Sequence, residues 1–169
     1  MRKILTTALL LLLTLPAVAV LAAEKIEVYS VEKGAYIMSE KVEKSESEWR
    51  NILTAEQFHV LREEGTEPAF SGKYHDHHGE GVYACAGCRL DLFSSEAKYD
   101  SGTGWPSFTE PIDKANIGTK KDRRLFTVRT EVHCVRCGGH LGHVFEDGPE
   151  PTGLRYCLNS AALQFEPLE

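Results

Sequence analysis

The sequence has no surplus of positive charge, no internal repeat, no low-complexity tract and no partner for the last of its cysteines. Across 169 residues, Lys and Arg number 19 against 25 Asp and Glu, a formal charge of −6. Nucleic acid and anionic lipid both attract excess Lys/Arg, so neither is the expected main partner. The length fits one domain, because two globular units would each be short of core. No alternation of strand and helix announces a parallel sheet. The cysteines number five, so they cannot all pair within one chain and one thiol must stand apart.

What is present begins with a leader. Arg2 and Lys3 precede an apolar run from Ala8 to Leu15, then Pro16 and the small residues Ala17, Ala19, Ala22 and Ala23. Basic, apolar and small segments in that order are the layout of a secretory signal peptide over residues 1–22, cleaved after Ala19 or Ala22; an uncleaved anchor is the alternative. The folded part is then exported, to a periplasm or secretory pathway, and free of the membrane once the leader is cut. Its odd thiol must survive where disulfides tend to form.

Residues 23–44 are charged and mixed and read as a tether with at most one edge strand around Ile26–Val31. From residue 45 a helical hairpin is expected. Trp49, Ile52 and Leu53 recur at helical spacing, and Thr54-Ala-Glu-Gln57 has the form of a capping box. Phe58 and Leu61 give the second helix its apolar face, and Gly65 stands ready to stop it in a left-handed conformation. Beyond Glu67, Gly and Pro punctuate short segments and Leu125–Val132 alternates, as antiparallel strands do. The basic run Lys120–Arg124 reads as a turn before that strand, and His75-Asp-His-His78 as a solvated loop rather than a second metal site.

Cys85-Ala-Gly-Cys88 and Cys134-Val-Arg-Cys137 are two C-x₂-C pairs, each preceded by strand-like residues. Two such turns facing one another place four thiolates around one Zn²⁺ and close its coordination shell, a structural rather than catalytic arrangement. Gly87 and Gly138 offer the backbone freedom such knuckles use. Ordinary disulfides, or a redox C-x₂-C pair, are the competing readings; the latter lacks its usual βαβ surroundings.

Cys157 remains. A buried inert thiol is its default. Against that, Arg155 and Asn159 lie two residues to either side on the same side of a strand, and a nearby cation favours the thiolate. His140 and His143 can carry a proton near neutral pH. A thiol with cation and imidazole beside it is a nucleophile supplied with an acid. Spacing alone leaves the structural and catalytic readings both standing.

Ser101-Gly-Thr-Gly-Trp-Pro-Ser-Phe108, Gly139-His-Leu-Gly-His-Val-Phe-Glu-Asp-Gly-Pro149 and Leu154-Arg-Tyr-Cys-Leu-Asn-Ser-Ala-Ala162, together with the cysteine quartet, closely resemble methionine sulfoxide reductase B. The resemblance runs from about Ser45 to Phe165. It implies a mainly β fold of two antiparallel sheets (a β-tent) with a structural zinc on Cys85, Cys88, Cys134 and Cys137. It also implies reduction of methionine-R-sulfoxide in proteins: Cys157 attacks the sulfoxide sulfur, His143 with His140 beside it serves the proton on oxygen, and Cys157 is left as a sulfenic acid. Trp105 matches the aromatic that packs on the substrate methyl, and Arg155, Asn159 and Asp147 match polar residues that organise the pocket.

One departure bears on recycling. Many members of that family carry a resolving cysteine where this chain has Thr103. With the quartet on zinc, the sulfenic acid is expected to be reduced by an outside thiol, from a thioredoxin-like protein or a small molecule. The rival from another class is a zinc-stapled binding module on the same fold, which has no need of Cys157, His143 and Trp105 together.

Overall fold

The computed structural model describes residues 23–124 and 127–168; the expected leader lies outside the described residues. In chain order the elements are β1 (Lys25–Ser30), β2 (Ala35–Glu40), α1 (Glu46–Ile52), α2 (Ala55–Glu63), β3 (Gly81–Cys85), β4 (Asp91–Ser94), β5 (Lys98–Tyr99), β6 (Ser107–Phe108), β7 (Ile117–Arg124), β8 (Thr127–Cys134), β9 (His140–Phe145), β10 (Arg155–Leu158) and β11 (Leu163–Pro167). The body is mainly β, as expected, and built on two antiparallel sheets. One has six strands in the order β5-β6-β10-β9-β8-β7; the other has three, β11-β3-β4. Tyr83, Phe93, Phe108 and Leu158, all buried, pack between them, with ring centroids of Phe93 and Phe108 4.7 Å apart. No helix among the described residues is long and apolar enough to cross a membrane.

Residues 25–40 are not a tether but a hairpin, β1 paired with β2 from Lys25↔Glu40 to Ser30↔Ala35. Val28 is buried, and the buried amide of Asn116 clamps the strand: its Oδ1 accepts from Tyr29 N–H at 2.8 Å and its Nδ2 donates to Tyr29 O at 2.8 Å. A buried amide satisfied on both sides fixes a segment whose local sequence is too polar to announce itself.

Both helices begin in capping boxes, Ser45 with Glu48 and Thr54 with Gln57. They touch one another through Arg50, which lies 3.9 Å over Phe58 and pairs with Glu63, and through Arg62 over Trp49. Leu53 and Thr54 join them, and α2 rests chiefly on β9 and the 3₁₀ turn Ser160–Ala162. The left-handed residue that ends α2 is Glu64 (φ 55°), not Gly65. Lys120–Arg124 is likewise no turn. It is the C-terminal part of β7, pairing with β8 as far as Arg124↔Thr127. That correction proves central to the site.

Candidate active site

Five strand pairings bring the motif residues together. Cys157 on β10 lies opposite Ser107 of β6 and His143 of β9; Tyr99 of β5 lies opposite Ser107; Glu131 of β8 lies opposite His143; and Lys120 of β7 lies opposite Glu131. Directly opposed residues share a face. One polar row, Tyr99–Ser107–Cys157–His143–Glu131–Lys120, therefore crosses all six strands. Two residues along, Arg155 is opposite Phe145 and Arg129 is opposite Asp122.

Over this face lies a cleft of about 110 Å³ lined by Trp105, Arg129, His143, Phe145, Cys157 and Asn159, among others. Drug-sized ligands occupy about 300–1,000 Å³, so this cleft suits a single side chain. Gly142 permits the close approach of β9 to β10: a Cβ there would fall 2.2 Å from the Cys157 carbonyl oxygen.

The Cys157 thiol has Thr103 Oγ1 at 3.9 Å, and the Ser101 hydroxyl bridges Thr103 (2.8 Å) and Ser107 (2.7 Å). Burial pushes the thiol pKa up. Hydrogen bonds from Thr103 and Ser107 and the charge of Arg155 pull it down without prevailing. The thiolate-favouring role expected of Arg155 is thus real in direction but outweighed, and the resting group is a thiol. Arg155 makes a bidentate pair with Asp147, Nε to Oδ1 at 2.9 Å and Nη2 to Oδ2 at 2.7 Å, and its guanidinium lies 4.4 Å over Phe145. Asp147 does not line the cleft; it holds Arg155 in place.

His143 Nε2 stands 2.9 Å from Asp122 Oδ2, which also accepts from Arg129 at 2.7 Å. Bonding through Nε2 fixes the tautomer and leaves Nδ1 as the acceptor of the neutral ring. Burial lowers the imidazole pKa; Asp122 acts upward, and Arg129 and His140 act downward. His140 sits behind His143, ring centroids 5.4 Å apart, buried and outside the cleft lining. Its Nδ1 is 3.1 Å from Glu131 Oε1 without hydrogen-bond alignment.

Trp105 lines the cleft and is anchored by Nε1–H donating to Glu67 O at 3.0 Å. Asn159 touches the cleft, but its amide is spent on backbone: Oδ1 accepts from Glu67 N–H and Nδ2 donates to Leu141 O, both at 3.0 Å. The buried Glu67 carboxylate accepts from Ser160 and Ala161 N–H at 2.7 and 2.9 Å, capping that 3₁₀ turn. Asp122, Glu67, Ser107 and Glu131 escaped sequence reasoning. Asp122 alone carried a usable signal, an acid alternating within a basic run.

Outside the cleft lining, β3 and β8 each end on the first cysteine of a pair. The four Sγ atoms lie within 4.8 Å of one another, with Cys85–Cys137 at 3.7 Å and Cys88–Cys134 at 3.5 Å. A tetrahedral ion with metal–sulfur bonds of about 2.3 Å needs sulfurs about 3.8 Å apart, so the quartet fits a metal ion. The left-handed residue following each pair is Arg89 (φ 66°) or Gly138 (φ 68°), each N–H bonding the first cysteine's carbonyl at 2.8 Å; Gly87 does not play that part. Among the described residues, no other group of three potential ligands is close enough for a metal. His75 and His77 instead bond Gly72 O and Tyr83 Oη.

A half-buried thiol, an oriented imidazole and an aromatic wall on one face of an antiparallel sheet, with a separate four-sulfur cluster, define a thiol-based redox enzyme class. The SelR domain family matches residues 53–167. A protein named peptide methionine sulfoxide reductase MsrB from Methanosarcina barkeri is 56% identical over 128 residues, 76% of this chain and 90% of that protein. Proteins of the same name from Thiobacillus denitrificans (55% identical, 77% of this chain and 98% of the relative) and Bradyrhizobium diazoefficiens (56%, 76% and 92%) agree. The chain belongs to the methionine sulfoxide reductase B family.

Proposed function

We propose that this protein is a peptide-methionine (R)-S-oxide reductase, acting on oxidised methionine residues in proteins. Convergence of Cys157, His143 and Trp105 on one side-chain-sized cleft carries this reading. Cys157 gives its proton to His143 and attacks the sulfoxide sulfur as thiolate. The imidazolium, held by Asp122, returns the proton to the sulfoxide oxygen. The hydroxyl so formed passes from the methionine sulfur to the Cys157 sulfur as the transient S–S bond breaks; methionine leaves with that bond's electron pair, and Cys157 is left as a sulfenic acid, the reversible rung of thiol oxidation. Trp105 and Phe145 pack on the methyl end. One external thiol condenses with the sulfenic acid, releasing water; a second cleaves the mixed disulfide and restores Cys157. Thr103 supports this external route, since it stands beside Cys157 where a resolving thiol would have to be.

The quartet holds one structural zinc in this reading, a closed four-thiolate shell that ties β3 to β8 and supplies no open position for substrate. The leader directs the enzyme to an exported compartment.

The test is turnover of the separated sulfoxide epimers with a thiol reductant. The R epimer is consumed and the S epimer is left; equal rates on both would overturn the assignment.

The proton inventory fixes a pH profile. Below the lowered His143 pKa, imidazole and thiol both hold protons and no thiolate forms; above the raised Cys157 pKa, the thiolate faces a neutral ring with no acid. Activity therefore holds across a plateau wider than the interval between ordinary His and Cys values of about 6.5 and 8.5. Asp122→Asn removes the influence that raises His143, so the acid limb should move to lower pH while the rate falls tenfold or more, on the order of a general-acid contribution. A rate loss with the acid limb unmoved would contradict the His143 role.

A further inference from the structure

Phe70 is an exposed aromatic, 63% accessible, in a chain that buries Tyr83, Phe93 and Phe108 completely. Its backbone is left-handed (φ 64°), a conformation that bulky residues seldom take and that glycine or asparagine accept readily. Exposure favours a polar side chain here and the dihedral favours a small one; phenylalanine satisfies neither. Such doubled local conflict marks positions kept for function rather than folding.

The residue is also held rigidly. Phe70 N–H donates to Gly104 O at 2.8 Å, and Ser71 Oγ donates to Pro68 O at 2.7 Å. The Glu67 carboxylate pins the start of the loop to Ser160 and Ala161. Gly104 has φ 86°, and a Cβ built on it would fall 2.7 Å from Phe70 N and 2.8–2.9 Å from two ring carbons. The phenyl ring thus lies on the Gly104 backbone, one residue from Trp105, the cleft wall. Thr66, four residues earlier in the same loop, also lines the cleft. The ring stays largely exposed, with His75 in edge contact at 6.0 Å.

We infer that Phe70 is a peptide subsite: it packs against an apolar side chain neighbouring the oxidised methionine in a polypeptide substrate. This rests on the reductase reading above and adds a preference to it. The cleft itself is filled by one sulfoxide side chain, so the next residues of a bound chain must cross its rim. On the Trp105 side the rim offers an apolar ring fixed in place, which loses little freedom when a partner covers it. Partly oxidised, locally unfolded segments expose such apolar neighbours.

The experiment compares wild type, Phe70→Ser and Phe70→Leu on three substrates: N-acetyl-methionine-R-sulfoxide, a short peptide with leucine or phenylalanine flanking the sulfoxide, and the same peptide with glycine and serine there. Wild type should favour the apolar-flanked peptide over the Gly/Ser one. Phe70→Ser should lose that preference, with kcat/KM on the apolar peptide falling roughly tenfold, as expected for one aromatic contact, and the loss appearing in KM. Phe70→Leu should retain most of it, and N-acetyl-methionine-R-sulfoxide should be turned over alike by all three. A wild type that reduces the blocked amino acid but does not distinguish the peptides overturns this inference alone. A Phe70→Ser loss equal on all three substrates overturns it too, assigning Phe70 a structural part through Gly104. A wild type inactive on every substrate overturns the reductase reading with it.

Discussion

Cys157→Ser should reduce methionine-R-sulfoxide at least about a thousandfold more slowly than wild type, the scale on which loss of a catalytic nucleophile is felt. Sulfur is the reason rather than position. A serine hydroxyl has no accessible anion near neutral pH, is a poor nucleophile toward sulfur, and cannot carry the transferred oxygen as a sulfenic acid. Geometry should barely change, since Oγ replaces Sγ among the Ser101, Thr103 and Ser107 hydroxyls already bonded to one another. Thermal unfolding of Cys157→Ser should match wild type within a few degrees, so a lost rate cannot be blamed on a lost fold. Residual activity near that of wild type would move the chemistry elsewhere, to the C-x₂-C pairs first.

Removing the metal proposed for Cys85, Cys88, Cys134 and Cys137 should be as severe for stability. Structural zinc sites contribute about 10–16 kcal/mol of apparent binding energy, against about 5–15 kcal/mol for the net stability of a domain. Without the ion, four sulfurs packed within 4.8 Å would be left to bear their own mutual contacts in a buried site. Cys134→Ser, which removes a fully buried ligand at the end of β8, should be purified without zinc and unfold at or below 37 °C. Strong chelation of wild type should release one zinc per chain together with a large drop in melting temperature. Unfolding by a disulfide reductant but not by a chelator would mean that the pairs are disulfides and overturn the metal reading.

Much of the site was legible because its residues travel in contiguous motifs. Cys157 with Arg155, and His140 with His143, sit close enough in sequence for spacing to group them. The cysteine pairs carry their own metal-ligand spacing. What escaped shares one property: its meaning is given by a strand several connections away. Asp122 was hidden in Lys120–Arg124, where the local pattern is only charge; β7 pairing through β8 to β9 makes it the partner of His143. Glu67 becomes a buried cap only because Ser160 and Ala161 fold back on it. The β1–β2 hairpin was missed because its anchor is Asn116, far along the chain. Twice a glycine drew the left-handed expectation while a charged residue took the conformation, Glu64 rather than Gly65 and Arg89 rather than Gly87. Local backbone bonds close both turns, Gly65 N–H to His59 O at 2.9 Å and Arg89 N–H to Cys85 O at 2.8 Å.

Asn159 and Asp147 teach a related point. Both were expected to organise the pocket, and each has its polar atoms bonded within the protein: Asn159 to the backbones of Glu67 and Leu141, Asp147 to Arg155. A motif reveals which residues a site keeps, whereas only their partners reveal what each one does.

The central claim is that one thiol performs the chemistry while the other four hold the fold. Its most direct test is a single turnover of wild-type enzyme with stoichiometric methionine-R-sulfoxide and no reductant, followed by peptide mass mapping. One methionine should be released per chain, with one oxygen added at Cys157, trappable by a sulfenic-acid reagent, and zinc still bound. An intramolecular disulfide joining Cys157 to any of Cys85, Cys88, Cys134 or Cys137, with zinc released, would contradict it.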